Sequence, residues 1–82
     1  MSNKIIIDVR TPSEFMCGNV AGSINIPLQQ IPQRIDEIRK MESSVVVCCA
    51  SGARSESAAL YLRGKGIQCE NGGSWMDLNY QL

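Results

Sequence analysis

Short apolar runs alternate with amphipathic stretches along this chain. Residues 4–9 (KIIIDV) and 45–48 (VVVC) are mostly apolar runs of the kind that form buried strands of a parallel sheet. Two shorter runs, 23–26 (SINI) and 67–69 (IQC), predict further short strands. Because these runs alternate with helical patterns, we expect an α/β domain with a short, mainly parallel sheet.

Helix signals fill the intervals in the first half of the chain. Thr11 is a suitable N-cap, Pro12 fits the first helical position, and Glu14 completes a capping box. The helix that they begin is predicted to end near Gly18. A second helix is predicted by an apolar stripe with spacings of three, four and three: Leu28, Ile31, Ile35 and Ile38. Pro32 is compatible with that helix only near its start.

The second half of the chain contains two further helical stretches. Residues 55–62 predict a helix that turns its two alanines and Leu62 inward, and the glycines that follow are suited to end it. Residues 71–73 (NGG) predict a turn. The segment from Ser74 to the C-terminus predicts a final short helix.

The composition is that of one ordinary globular domain. The 82 residues leave room for a single domain, residues 1–82, with a small core. Eight basic and eight acidic side chains give a formal net charge of zero, which argues against a nucleic-acid partner. No apolar stretch is long enough for a bilayer, and no leader pattern precedes the first strand. These two absences do not exclude export, so the compartment is predicted from the cysteines: reduced thiols indicate a cytoplasmic protein, with a periplasmic one as the alternative if a leader has been removed.

Four cysteines raise the question of a disulfide framework. They are Cys17, Cys48, Cys49 and Cys69. A bond between the adjacent Cys48 and Cys49 would be strained, and the chain is rich in strand and helix patterns, unlike a loop-dominated disulfide scaffold. We therefore expect reduced thiols. We predict no metal site, because the chain has no histidine and no C-x-x-C pair.

The segment CASGARS, residues 49–55, carries the candidate chemistry. Ligands of open α/β sheets bind beyond the carboxyl ends of the strands, which is where this loop is predicted to lie. Its small side chains let backbone N–H groups converge, and the following helix adds its positive dipole end. Such a pocket holds an anion and keeps a cysteine as the thiolate. Arg54 either faces an oxyanion there or serves the structure, by capping carbonyls or pairing with Asp8 or Glu14.

The chain resembles the rhodanese family of sulfurtransferases in four segments, which occur in the family's order and cover most of its length. The loop matches the family's C-x-x-G-x-R-S pattern, and the other three segments are IDVR with TPSEF at 7–15, GNVAGSINIP at 18–27, and NGG with Trp75 at 71–75. Asn19 stands where the family usually has a histidine. The resemblance implies a three-layer rhodanese-like domain of the minimal, single-domain kind.

The resemblance also implies a function and a set of site residues. Cys49 would be catalytic: it would take a sulfane sulfur from a donor such as thiosulfate, become a persulfide, and pass the sulfur to cyanide, a thiol or a sulfur-relay protein. The substrate-binding residues would be Ala50, Ser51, Gly52, Ala53, Arg54 and Ser55. Asp8 and Arg10 would brace a strand end near the site. No metal, organic cofactor or membrane is implied.

Two alternatives remain open at the level of the sequence. Counted from Cys48, the loop reads C-x5-R, the spacing of cysteine-dependent phosphatases and arsenate reductases. Val47 stands where the phosphatase signature has a histidine, and the glycine three residues after Cys49 favours sulfur transfer. Cys48 is then a buried apolar residue of the strand. The second alternative is a sulfur carrier, in which Cys49 receives a persulfide without turnover.

Overall fold

The computed structural model describes residues 4–82. The strands are β1 (Lys4–Asp8), β2 (Ile24–Asn25), β3 (Ser44–Cys49) and β4 (Cys69–Ser74). The helices are α1 (Pro12–Met16), α2 (Ile35–Lys40), α3 (Ala53–Gly64) and α4 (Trp75–Gln81). Two 3-10 turns, Leu28–Gln30 and Pro32–Arg34, precede α2. Across residues 4–82, every helix is too short or too polar to traverse a bilayer.

The four strands form one parallel sheet in the order β2-β1-β3-β4. The two apolar runs, β1 and β3, occupy its centre, with Ile7 opposite Val47 and Asp8 opposite Cys48. Because all strands run the same way, their carboxyl ends lie along one edge, and the loop after Cys49 starts there. The α/β fold class predicted from the sequence is confirmed.

Helices cover both faces of the sheet. Alternate side chains of β3 enter the main core, which α2 and α3 close from that side; the buried members from these three elements are Ile38, Val45, Val47, Cys49, Ala58, Ala59 and Leu62. Helix α4 lies on the other face. A Cβ atom at Gly72 would come within 2.8 Å of Val46 and 3.2 Å of Leu78, so the absence of a side chain there lets α4 approach the strand.

The predicted capping box is present at the start of α1. The Glu14 amide donates to Thr11 Oγ1 at 3.3 Å, and the Thr11 amide donates to Glu14 Oε1 at 3.0 Å. Two N–H groups that the first helical turn cannot satisfy internally are thereby paired.

The predicted second helix is interrupted. Ile31 and Ile38 are buried as the apolar stripe requires, but the stripe folds as two 3-10 turns followed by the short α2. Pro32 begins the second of these turns. Because proline has no N–H to donate, a continuous helix starting at Leu28 would lose a hydrogen bond there.

The prediction of the last strand was wrong. It was expected at 67–69 with a turn at 71–73, whereas β4 runs through all three of those turn residues. Its pairing with β3 jumps from Val47–Asn71 to Cys48–Gly73, so Gly72 is an extra residue in a β-bulge. Gly73 has φ of +82°, which a glycine adopts without strain. The Gly-Gly pair that predicts a turn from the sequence therefore forms a β-bulge in the structure.

Candidate active site

The Cys49 thiol lies at the carboxyl end of the central strand β3, fully buried beneath the loop that leads into α3. Gly52 precedes the first residue of α3 and has φ of +100°, a left-handed conformation that favours glycine. A Cβ atom at Gly52 would also lie 3.3 Å from the Cα of Gly73. Any other residue at this position would strain the loop, both through the positive φ and through its contact with Gly73.

Two amides donate to the sulfur of Cys49, and a hydroxyl group lies within reach of it. The Gly52 amide lies 2.9 Å from Sγ, and the amide and the hydroxyl oxygen of Ser55 each lie 3.4 Å from it. Burial raises the pKa of the Cys49 thiol, but these donors, together with the Ser51 amide, outweigh burial and lower that pKa below its ordinary value. The arrangement favours the thiolate, the nucleophilic form of cysteine.

The other small residues of the loop form its outer surface. Ala50, Ser51 and Ala53 are exposed. The Ala53 amide donates to the Ser51 hydroxyl at 3.4 Å, so the serine side chain closes a local turn of the loop. Apart from Arg54, the candidate substrate-binding residues thus fall into two groups, an inner pair with donors near the sulfur, Gly52 and Ser55, and an exposed rim.

Arg54 is engaged by a carboxylate. Its two terminal nitrogens lie 2.7 and 2.9 Å from the oxygens of Glu14, in a bidentate pair that is about one third exposed. The guanidinium, followed by the Thr11 amide, lowers the pKa of Glu14 to about 2. Of the partners that the sequence left open for Arg54, the structure selects Glu14.

Asn71 is a site residue that the sequence did not single out. Its Oδ1 accepts from the Ser55 hydroxyl at 2.6 Å and from the Gly73 amide at 2.9 Å. Its Nδ2 donates to the Gly52 carbonyl and to the Glu56 carboxylate, both at 3.1 Å. The sequence Asn-Gly-Gly is typical of a turn, so it predicts no contact between Asn71 and the loop.

Asp8 and Arg10 form a buried ion pair beside the site. Arg10 Nη2 lies 2.7 Å from Asp8 Oδ2, and the same guanidinium donates to the Gly18 carbonyl at 2.7 Å. The ring of Trp75 covers the guanidinium at 4.8 Å, a cation–π contact. The pair fixes the end of β1 against the segment after α1 and the start of α4.

Cys48 faces away from the loop, toward Asp8 and Arg10. Burial, followed by the negative charge of Asp8, raises the pKa of the Cys48 thiol to about 12. It is therefore a neutral thiol at physiological pH, poorly suited to nucleophilic attack. The geometry disfavours the phosphatase and arsenate reductase alternative, which needs an ionised Cys48.

The remaining candidate positions have structural contacts. The Asn19 side chain donates to the Phe15 carbonyl at 2.9 Å, so the residue at the family's histidine position closes the end of α1. Cys69 is buried, and burial raises the pKa of its thiol to about 11. Cys17 is exposed. None of the four cysteines is paired in a disulfide, and residues 4–82 contain no cluster of three metal-ligating side chains.

The site consists of a cysteine at the end of a central parallel strand, whose sulfur accepts hydrogen bonds from amides of the loop before the next helix. This arrangement defines the class of the protein as an α/β domain with a cysteine-containing active-site loop. The family model described as a rhodanese-like domain matches residues 1–77. The chain therefore belongs to the rhodanese-like family.

Named relatives agree with this assignment. The chain is 40% identical over 62 residues to a sulfurtransferase of Allochromatium vinosum, covering 76% of this chain and 57% of that protein. It is 35% identical over 74 residues to the thiosulfate sulfurtransferase PspE of Escherichia coli, covering 88% and 71%. It spans about half the length of the curated relatives that it matches first.

The solved structures give the same fold. The crystal structure of a rhodanese-related protein from Thermoplasma volcanium superposes with a TM-score of 0.84 at 26% sequence identity, over 96% of this chain and 78% of that one.

Proposed function

We propose that this chain transfers sulfane sulfur through a persulfide on Cys49. One observation carries the proposal: Gly52 and Ser55 direct their donors at a buried sulfur whose pKa is lowered, whereas the neighbouring Cys48 is a poor nucleophile. The sulfurtransferase names of relatives in the same family support it.

The reaction divides into two displacements. The Cys49 thiolate attacks the sulfane sulfur of thiosulfate; a new S–S bond forms, and sulfite leaves with the electron pair of the bond that breaks. Cyanide or a thiolate then attacks the outer sulfur of the persulfide, and the Cys49 thiolate leaves, with thiocyanate or a new persulfide as product. Splitting one transfer into two steps on an enzyme nucleophile is covalent catalysis. No net oxidation occurs in either half.

The loop supplies electrostatic stabilisation in both steps. Backbone amides that are fixed before the reaction stabilise charge without reorganising. The Gly52 and Ser55 amides already lie 2.9 and 3.4 Å from Cys49 Sγ, and we expect the loop amides to stabilise the outer persulfide sulfur as well. The start of α3 contributes the positive end of a 12-residue helix. Arg54 would steer an anionic donor if Glu14 released it, and the exposed rim of Ala50, Ser51 and Ala53 would face the substrate.

Single cysteine replacements test the proposal. Cys49→Ser should abolish thiosulfate-to-cyanide transfer, while Cys48→Ser, its matched neighbour, should keep most of it. A Cys48→Ala variant covers the case in which a serine hydroxyl disturbs the buried site. Loss of transfer in the Cys48 variants with retention in Cys49→Ser would overturn the proposal, and turnover of an aryl phosphate by the Cys49→Ser variant would select the phosphatase alternative.

A sulfur carrier is the second candidate, because among residues 4–82 the cation of the site loop is already paired and so is not free to bind thiosulfate. Arg54 is paired with Glu14, and the Cys49 sulfur is fully buried. A protein donor that inserts its own persulfide would need neither a free cation nor an open pocket. A carrier would gain one sulfur atom from a persulfide-bearing donor and show no turnover with thiosulfate and cyanide.

A further inference from the structure

The Ser55 hydroxyl has one proton and two acceptors within reach. Its oxygen lies 2.6 Å from Asn71 Oδ1 and 3.4 Å from Cys49 Sγ. A hydroxyl donates one hydrogen bond at a time. The proton therefore points either at the amide oxygen or at the sulfur, and its direction decides how many donors the sulfur has.

The orientation of the Asn71 amide is fixed by its other neighbours. The Gly73 amide, a donor only, faces one end of the side chain at 2.9 Å, which identifies that end as the oxygen. The Gly52 carbonyl and the Glu56 carboxylate, which are acceptors, face the other end at 3.1 Å, which identifies it as the nitrogen. Because an amide oxygen cannot donate, the contact of 2.6 Å requires the Ser55 proton to point at Asn71.

We propose that Asn71 is a positioning residue that draws the Ser55 proton away from Cys49 while the sulfur is neutral and releases it to the sulfur when the thiolate forms. The inference rests on the proposed role of Cys49 as the reacting thiol. The hydroxyl hydrogen rotates, so that its hydrogen bond to Asn71 is exchanged for one to the sulfur, and the 2.6 Å separation of the two oxygens then lengthens because no proton lies between them. No covalent bond forms or breaks. The amide oxygen keeps its contact with Gly73 when the serine proton leaves.

This rotation tunes the nucleophile in the proposed cycle. A thiolate that draws the serine proton gains a third donor and becomes more stable but less reactive. When the sulfur is capped as a persulfide, the negative charge moves outward and the hydroxyl returns to Asn71. Asn71 thus limits how strongly the pocket stabilises the attacking sulfur, and removing it should overstabilise the thiolate.

The alanine variants proposed below remove no charged group near the sulfur, whereas Asn71→Asp adds one. Arg54 comes from the loop and is neutralised by Glu14. Asp8 and Arg10 come from the end of β1 and neutralise each other. Glu56, from the first turn of α3, contacts the far end of the Asn71 side chain. The change in the thiol's titration can therefore be assigned to the serine proton.

The experiment is a pH titration of the Cys49 thiol, followed by thiolate absorbance and by alkylation rate in a Cys17→Ser background. Asn71→Ala should lower the midpoint by roughly half a pH unit, the size expected when a donor shared with another acceptor becomes fully available. Asn71→Asp keeps the acceptor but adds negative charge, and should raise the midpoint. Ser55→Ala should raise it as well, and Ser55→Ala with Asn71→Ala should match Ser55→Ala alone.

The direction of the shift in the titration midpoint distinguishes this positioning role from a purely structural one. If Asn71 served only to anchor the loop through Gly52, its removal would loosen the amides on the sulfur and raise the midpoint. A raised or unchanged midpoint in Asn71→Ala, or a shift that persists without the Ser55 hydroxyl, would overturn the inference. If Asn71→Ala does not fold, Asn71→Leu, which has a similar volume and no hydrogen-bond acceptor, decides in its place, with the same expected lowering of the midpoint and the same contradicting results. The titration requires no sulfur transfer, so failure of the proposed function would appear separately, as absent turnover.

Discussion

Arg54 and Glu14 join the site loop to the first helix through two hydrogen bonds, of 2.7 and 2.9 Å. The same Glu14 oxygen that accepts from Arg54 also accepts from the Thr11 amide at 3.0 Å as part of the capping box. One carboxylate therefore caps α1 and holds the only cation of the loop. In the resting protein the positive charge nearest the rim of the site is neutralised.

Releasing Arg54 should improve the use of an anionic donor. Glu14→Gln removes the charge that neutralises the guanidinium and keeps the shape of the side chain. We expect the KM for thiosulfate to fall roughly three- to tenfold at low salt, because an unneutralised cation beside the pocket raises the local concentration of anions. Steady-state kinetics at several ionic strengths measures this.

Glu37→Gln is the matched control for that variant. Glu37 forms a similar exposed bidentate pair with Arg34, and neither residue contacts the site loop. Its replacement should leave the KM unchanged. Equal KM values in Glu14→Gln and the wild type would mean that Arg54 does not contact the donor even when it is free.

Acid should remove the contribution of the same pair to stability. The pKa of Glu14 falls from its ordinary 4.5 to about 2 in the folded protein, mainly because of Arg54. A depressed carboxylate pKa stabilises the fold above the unfolded value and loses that contribution as the pH falls through the folded one. The stability difference between wild type and Glu14→Gln should therefore shrink between pH 4.5 and about 2, in chemical unfolding at each pH. A difference that stays constant over this range would contradict the assignment.

The buried pair of Asp8 and Arg10 should matter for stability far more than exposed pairs do. Asp8→Asn leaves Arg10 charged and without its partner inside the protein, and removing one partner of a buried pair costs about 3–5 kcal/mol. In a domain of this size that loss is a large part of the free energy of unfolding. Chemical denaturation of Asp8→Asn measures it. Glu70→Gln, which breaks the exposed pair with Lys4, should leave the denaturation midpoint nearly unchanged.

Alanine substitutions at Gly52 and Gly66 distinguish the effect of backbone strain on stability from the loss of a donor to the Cys49 sulfur. Both have positive φ, +100° and +80°, so an alanine at either position should cost about 1–2 kcal/mol of stability, and at Gly52 the contact with Gly73 adds to that cost. Of these two glycines, only Gly52 donates its amide to the Cys49 sulfur. We expect Gly52→Ala to lose sulfur transfer by roughly tenfold or more, as when one fixed donor is removed from an active site. Gly66→Ala should keep its activity in the same assay; equal losses in both variants would argue against a role of the Gly52 amide.

The sheet and the location of the loop were predictable because they depend on short-range signals. The apolar runs of β1 and β3 define the central strands, and parallel strands bring their carboxyl ends to one edge. The capping box at Thr11 and Glu14 likewise depends on only four consecutive residues. The structure confirms these elements.

The features that the sequence did not predict depend on pairing between distant segments. Asn71 enters the site only because β4 continues through Gly72 as a bulge, and a turn has the same Asn-Gly-Gly composition. The choice of Glu14 over Asp8 as the partner of Arg54 depends on where α1 lies relative to the loop. The predicted second helix is interrupted because of Pro32, which shortens the helix more than the apolar stripe alone predicts.

The central claim is that the Cys49 sulfur accepts and holds one extra sulfur atom. Its most direct test is peptide mass spectrometry of the protein after incubation with thiosulfate or with a persulfide donor, before and after cyanide. We predict a gain of one sulfur atom on the peptide that contains Cys49, absent in Cys49→Ser, present in Cys48→Ser, and removed by cyanide. No gain with either donor, or a gain that remains in Cys49→Ser and disappears in Cys48→Ser, would contradict it.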